Sequence, residues 1–130
     1  MKIYINSLFL VLGFTFTNCD PGLRGDLKIY NETDQLLTAK YFDFSTSDTT
    51  FKDIHPRTFE TIKVLGGLGD KSEFDCCPCQ FQYISIQSSL GQIKKDVSNG
   101  NNWHIPNKGK LKKFGKEPVK CELHILQHDL

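Results

Sequence analysis

From residue 26 onward the chain alternates apolar and polar positions in short bursts, with polar breaks between them. Asp26-Leu27-Lys28-Ile29-Tyr30 has the two-residue period of a strand that buries one face. Asn31-Glu32-Thr33-Asp34 is a turn cluster, and Leu36 to Phe42 supplies the answering strand. Asp43 to Asp53, rich in Ser, Thr and Asp, fits a loop or a weak edge strand around Thr49-Thr50-Phe51. After the turn at Pro56, Phe59 to Leu65 alternates again, with Ile62 and Val64 expected on one face and Thr61 and Lys63 on the other.

Gln80 to Gln87 is the clearest strand, because aromatic and β-branched residues interleave with polar ones. Ser88 to Gly91 turns the chain, Gln92 to Val97 is expected to return as the hairpin partner, and Asn99-Gly100 is a favoured tight-turn pair. Trp103 reads as a core plug. Val119 to Ile125 alternates throughout, placing Val119, Cys121, Leu123 and Ile125 inside and Lys120, Glu122 and His124 outside. No stretch of helical length carries an apolar stripe with a cap and a stop. These roughly six or seven short strands, separated by turn signals, predict an all-β domain built as an antiparallel β-sandwich. An immunoglobulin-like arrangement is the form that this strand count suggests.

The first residues follow another rule. Lys2, an apolar run from Leu8 to Phe16 and the polar break Thr17-Asn18 before Cys19 have the layout of a secretory signal. The run is about half of the ~20 apolar residues that a spanning helix needs, which argues against a permanent membrane span. Thr15, Thr17 and Asn18 match the small-residue site of ordinary signal cleavage poorly.

Phe16-Thr17-Asn18-Cys19 resembles the lipobox of bacterial lipoproteins, although Phe16 and Asn18 depart from its common Leu-small-small-Cys form. With Cys19-Asp20-Pro21-Gly22 after it and the strand pattern behind, the chain resembles the short lipoproteins of Gram-negative bacteria. That resemblance implies a helical signal peptide over 1–18, diacylglycerol and N-acyl (palmitate-type) lipid on Cys19, and a spacer over 19–25. A single β-sandwich domain would then occupy 26–130. It also implies export to the cell envelope, on the periplasmic face or the cell surface. Asp20 resembles the inner-membrane retention signal of some lipoproteins. Two or three acyl chains, each contributing about 0.8 kcal/mol per buried CH2, would hold such a protein on its membrane.

Composition narrows the function classes. Of the 16 basic residues one, Lys2, precedes Cys19, and none of the 15 acidic residues does, so the remainder is formally neutral. No overall field recruits nucleic acid. A hydrophobic fraction of 38% with ten Phe excludes a disordered tether. Lys108, Lys110, Lys112, Lys113 and Lys116 form a basic run without an acid, read as a solvated loop. Attraction to anionic headgroups or polysaccharide is its sharper reading. Asn31-Glu32-Thr33 matches a glycosylation sequon, a chance match in a bacterial-type lipoprotein. Gly66-Gly67-Leu68-Gly69-Asp70 lacks the Gly-Lys-Ser/Thr ending of a phosphate loop and reads as a mobile turn.

With Cys19 assigned to lipid, Cys76, Cys77, Cys79 and Cys121 remain, an even number that suggests disulfides in an exported chain. Cys121 faces the expected core, so one bridge should join it to one of the clustered three; a Cys76–Cys77 pairing would strain the peptide between them. Two alternatives give the cluster chemistry. Cys76-Cys77-Pro78-Cys79 has the Cys-x-Pro-Cys form of a thiol-redox motif, but a strand rather than an acidifying helix follows it. Cys76, Cys77 and Cys79 with Cys121, His104, His124 or His128 would suit tetrahedral zinc or copper(I), though a second Cys-x-x-Cys pair is missing. Neither Gly-x-Ser-x-Gly nor His-Glu-x-x-His occurs. The expectation is therefore a binding or structural module rather than an enzyme, with no resident metal or cofactor. Its partners would be the membrane, through the lipid, and another envelope protein or a glycan.

Overall fold

A computed structural model of the chain describes residues 23–44, 46–67, 76–106 and 119–130. The expected signal segment, Cys19 and the lysine run at 108–116 lie outside these residues. The described residues form eight strands: β1 (Leu23–Asn31), β2 (Leu37–Asp43), β3 (Asp48–Ile54), β4 (Thr58–Gly67), β5 (Phe81–Ser88), β6 (Gly91–Gln92), β7 (Trp103–His104) and β8 (Val119–Ile125). They make two four-stranded sheets, sheet one in the order β4-β1-β8-β7 and sheet two in the order β3-β2-β5-β6. β1 begins at Leu23, inside the stretch read as a spacer, and Gly66 and Gly67 extend β4 rather than forming a turn.

The architecture is an all-β sandwich. Its pairs are antiparallel except β1 with β8, which run parallel from Gly25↔Val119 to Asn31↔Ile125. The immunoglobulin order expected from the strand count is not the one found. That fold keeps its first two strands in one sheet, whereas β1 and β2 here lie in opposite sheets.

Alternation explains the packing. Leu27, Ile29, Cys121, Leu123 and Ile125 of sheet one meet Leu37, Ala39, Tyr41, Ile84 and Ile86 of sheet two in one core that also takes in Ile54, Phe81 and Trp103. Leu27, Ile29, Leu37, Ile54, Leu123 and Ile125 are completely buried. Each contributes about 1.5–3 kcal/mol relative to an exposed side chain. Trp103 donates its indole N–H to Val97 O at 2.9 Å, so the buried ring keeps its polar atom satisfied.

Two bulges break the period. Between Leu27/Lys63 and Lys28/Thr61 the register shifts, leaving Ile62 as the extra residue on β4. Lys63 thereby sits opposite the inward Leu27, and Val64 is turned out to 56% exposure. The expected pairing of Ile62 with Val64 on one face is thus overturned. A second shift between Phe42 and Asp43 leaves Gln82 extra on β5, so both Phe81 and Ile84 are buried.

Two turns also differ from expectation. The return after Ser88–Gly91 pairs for two residues only, Gln87↔Gln92 and Ser88↔Gly91. Beyond it Lys94 N–H donates to Asp129 O at 2.7 Å, so the C-terminal turn takes the pairing that a longer hairpin would have used. Gly91 supports the tight turn with φ of 118°. Asn99-Gly100 forms no two-residue hairpin: Asn99 caps a short 3-10 turn, Gly100–Asn102, by accepting from Asn101 N–H at 3.0 Å.

Candidate functional site

The outer face of sheet two is where side chains left over from the core collect. β2 points Leu37, Ala39 and Tyr41 inward, so Lys40 and Phe42 point outward. Register then places Phe51 and Ser85 beside Lys40, and Thr49 and Tyr83 beside Phe42. Phe51 is 64% exposed, Phe44 60% and Tyr83 38%. The Phe42 ring lies 6.3 Å from the rings of both Phe44 and Tyr83, and Thr49 Oγ1 and Tyr83 OH share a 2.9 Å hydrogen bond. Lys40 Nζ sits over two rings, 5.6 Å from Phe51 and 5.8 Å from Tyr83. Ring quadrupoles attract the ammonium but leave its charge in place. Among the described residues Lys40 makes no ion pair. This aromatic face is not anticipated from the sequence, where Phe42, Phe51 and Tyr83 are placed in strands but assigned to no face. The signal was there: Phe42, Phe51 and Tyr83 fall in the opposite phase to Tyr41, Ile54 and Ile84.

The outer face of sheet one carries a second, more polar cluster. Phe59, Tyr30 and His124 lie in one cross-strand row. Tyr30 stacks on His124 at 4.5 Å and contacts Phe59 at 5.2 Å. His124 Nδ1 meets Glu32 at 2.5 Å, and its Nε2 lies 3.7 Å from Glu122. Burial first, and then the Glu122 carboxylate, raise the Tyr30 hydroxyl above its ordinary pKa. A shallow depression of about 200 Å3 runs along Tyr30, Glu32, Arg57 and Phe59. Arg57 adopts a left-handed φ of 58° and donates from Nε and Nη2 to Asp34 Oδ1 at 2.9 and 2.7 Å.

The four candidate cysteines Cys76, Cys77, Cys79 and Cys121 are all paired. Cys77 bridges to Cys121 and Cys76 to Cys79. Cys77–Cys121 crosses from the entry of β5 in sheet two to β8 in sheet one, and both residues are 2% exposed. Cys76–Cys79 stays within one turn, where Cys79 is exposed and Cys76 half-buried. With sequence separations of 44 and 3, chain entropy assigns the first bridge about 4 kcal/mol and the second about half as much. The turn between them is a three-residue 3-10 helix, Pro78–Gln80, not the long helix of a redox motif.

Sulfurs bonded to one another offer no thiolate to a metal. Among the described residues no three His, Cys, Asp or Glu side chains are placed to hold an ion, so a metal site at Cys76, Cys77, Cys79 and Cys121 would require both bridges to open. The other histidines do not converge on the cysteines: His128 lies by Asp129 at 3.6 Å, and His104, on β7, is exposed and paired with Glu122 of β8. Among the described residues no serine hydroxyl bonds a histidine ring, so no nucleophile–base pair is assembled there. No described helix is long and apolar enough to cross a membrane. No protein-family model, curated protein or solved structure matches the chain.

Proposed function

We propose that this chain is a lipid-anchored protein of the cell envelope whose β-sandwich binds another protein through the outer face of sheet two. The observation that carries the reading is the group of exposed rings Phe44, Phe51 and Tyr83 gathered around Lys40 and the half-buried Phe42. Contiguous exposed apolar surface marks interaction sites, and aromatic residues dominate the energetic centres of protein interfaces. Lys40 defines the partner's chemistry. An ammonium flanked by rings, and without an ion pair among the described residues, is complemented by an apolar surface that presents an Asp or Glu. Paired cysteines fit an oxidising compartment outside the cytoplasm, in line with the signal-like leader and the lipobox-like Cys19.

A photo-crosslinking side chain placed at Phe51, in native membranes, tests the face. The expected product is a discrete protein adduct that the same probe at Leu90, on the β5–β6 turn, does not give, and that Lys40→Glu abolishes while the far-ultraviolet spectrum stays unchanged. Equal labelling from both positions removes the binding face, and an adduct to glycan replaces the partner class. Intact mass of the protein extracted from its membrane tests the anchor separately: acyl chains on Cys19 support it, and an unacylated chain ends it.

A further inference from the structure

Burial divides the two bridges. Cys77 and Cys121 are sealed in the core at 2% exposure each, whereas Cys79 is exposed and Cys76 half-buried. Cys77–Cys121 ties the sheets together, while Cys76–Cys79 connects residues of a single turn and joins no two elements. Exposed disulfides are the ones that exchange, and buried structural ones resist reduction. The turn that carries Cys79 also has supports of its own. Gln80 N–H donates to Cys77 O, Phe81 N–H donates to Pro78 O, and Lys63 Nζ reaches Gln80 O at 3.5 Å. Opening the outer bridge therefore leaves the turn bonded and the inner bridge closed.

We infer that Cys76–Cys79 is a site of reversible thiol–disulfide exchange with thiols around the protein, while Cys77–Cys121 holds the fold through the cycle. This activity is independent of the binding face. The thiolate of an external thiol attacks Cys79 Sγ, the exposed sulfur, and forms a mixed disulfide. The Cys76–Cys79 bond breaks with its electron pair on Cys76 Sγ, which takes a proton from water. A second external thiolate attacks the external sulfur of the mixed disulfide, and Cys79 leaves as a thiolate and is protonated in turn. Two external thiols become one external disulfide, and the protein gains two electrons and two protons. The reverse sequence, driven by an external disulfide, closes the bridge with the sulfurs still held near each other by a Cα–Cα spacing of 5.4 Å.

The test is incubation of the full chain, without denaturant, in buffers of graded reduced to oxidised glutathione, followed by iodoacetamide and peptide mass mapping. Expected is joint alkylation of Cys76 and Cys79, with Cys77–Cys121 intact, an unchanged far-ultraviolet spectrum, and loss of the labelling when oxidised glutathione is restored. In oxidised glutathione Cys76→Ser should hold a stable glutathione adduct on Cys79, because the resolving thiol is gone. Alkylation of all four cysteines at one glutathione ratio, or of none before the fold is lost, overturns the inference. A folded Cys76→Ser protein that takes up no glutathione overturns it as well.

Discussion

Asn31 ends β1 at an inward position, where a polar side chain is costly unless every atom is bonded. It is 1% exposed and bonded throughout. Its Nδ2 donates to Gln35 O, Ile54 O and His55 O at 2.7, 2.9 and 3.1 Å, and its Oδ1 accepts from the backbone and hydroxyl of Thr33 at 3.0 and 2.8 Å. One amide thus fixes the β1–β2 turn and ties it to the end of β3 in the opposite sheet. The nitrogen a sequon would glycosylate is consumed in that network, so Asn31-Glu32-Thr33 is a structural turn. Asn31→Ala leaves several buried groups unpaired, each costing about 1–3 kcal/mol. A loss of about 3 kcal/mol or more in urea-unfolding free energy is expected, and a loss below about 1 kcal/mol would show that water replaces the amide without penalty.

At the scale of elements the β4 bulge decides the most. By inserting Ile62 it frees two backbone carbonyls toward sheet two: Lys52 Nζ donates to Thr61 O at 2.8 Å and Tyr41 OH to Ile62 O at 3.0 Å. The same shift delivers Lys63 to Asp43 at the end of β2, Nζ to Oδ1 2.6 Å, with 12% and 14% of the side chains exposed. Lys63 also lies 5.6 Å over the Phe81 ring. Breaking such a half-sealed pair costs more than removing it whole, because the surviving charge keeps its desolvation cost and loses the attraction that offset it. Lys63→Met should lower stability by about 3 kcal/mol, and Lys63→Met with Asp43→Leu should recover part of that loss. Equal loss in single and double variants, measured by chemical denaturation, would count against an inter-sheet pair.

For the whole molecule the problem is to keep two sheets in register, and the fastenings sit at different edges. Cys77–Cys121 crosses one part of the core and Tyr41 to Ile62 another. The C-terminal turn Gln127–Asp129 closes a third, where Asp129 Oδ2 meets Lys95 Nζ at 2.9 Å and accepts from Leu126 N–H at 2.8 Å, while Lys95 also donates to His124 O at 2.6 Å. Burial is the largest influence on Asp129 and pushes its pKa up, but the Leu126 N–H, the Lys95 ammonium and His128 together outweigh it and hold the carboxyl below its ordinary value. A carboxyl with a lowered pKa in the fold stabilises above its unfolded pKa, about 3.9 for Asp, and that stability is lost as pH falls through the folded value. Asp96, exposed and held low chiefly by the Ser98 hydroxyl, acts in the same direction. Acid should therefore destabilise the domain below about pH 4. Asp129→Asn should lose about 1–2 kcal/mol at neutral pH and show a shallower acid slope; an unchanged slope in pH-dependent melting would remove Asp129 from the linkage.

Read alone, the sequence determined the all-β class, the identity of β1, β2, β5 and β8, and the inward set Leu27, Ile29, Cys121, Leu123 and Ile125, because two-residue alternation is a local property that needs no partner strand. It also narrowed the partners of Cys121 to the Cys76–Cys79 cluster, since a thiol on an inward strand position is met only from within the core. Tertiary structure decided the rest. The parallel β1–β8 pairing, the choice of Cys77, and the bulges that reverse Val64 and admit Lys63 depend on registers between strands distant in sequence. The aromatic face of sheet two depends on them too: Lys40, Phe42, Phe51 and Tyr83 become neighbours only when β3 and β5 pair on either side of β2. Periodicity says which residues share a face of one strand, and only the hydrogen-bonded register between strands says which of those residues meet.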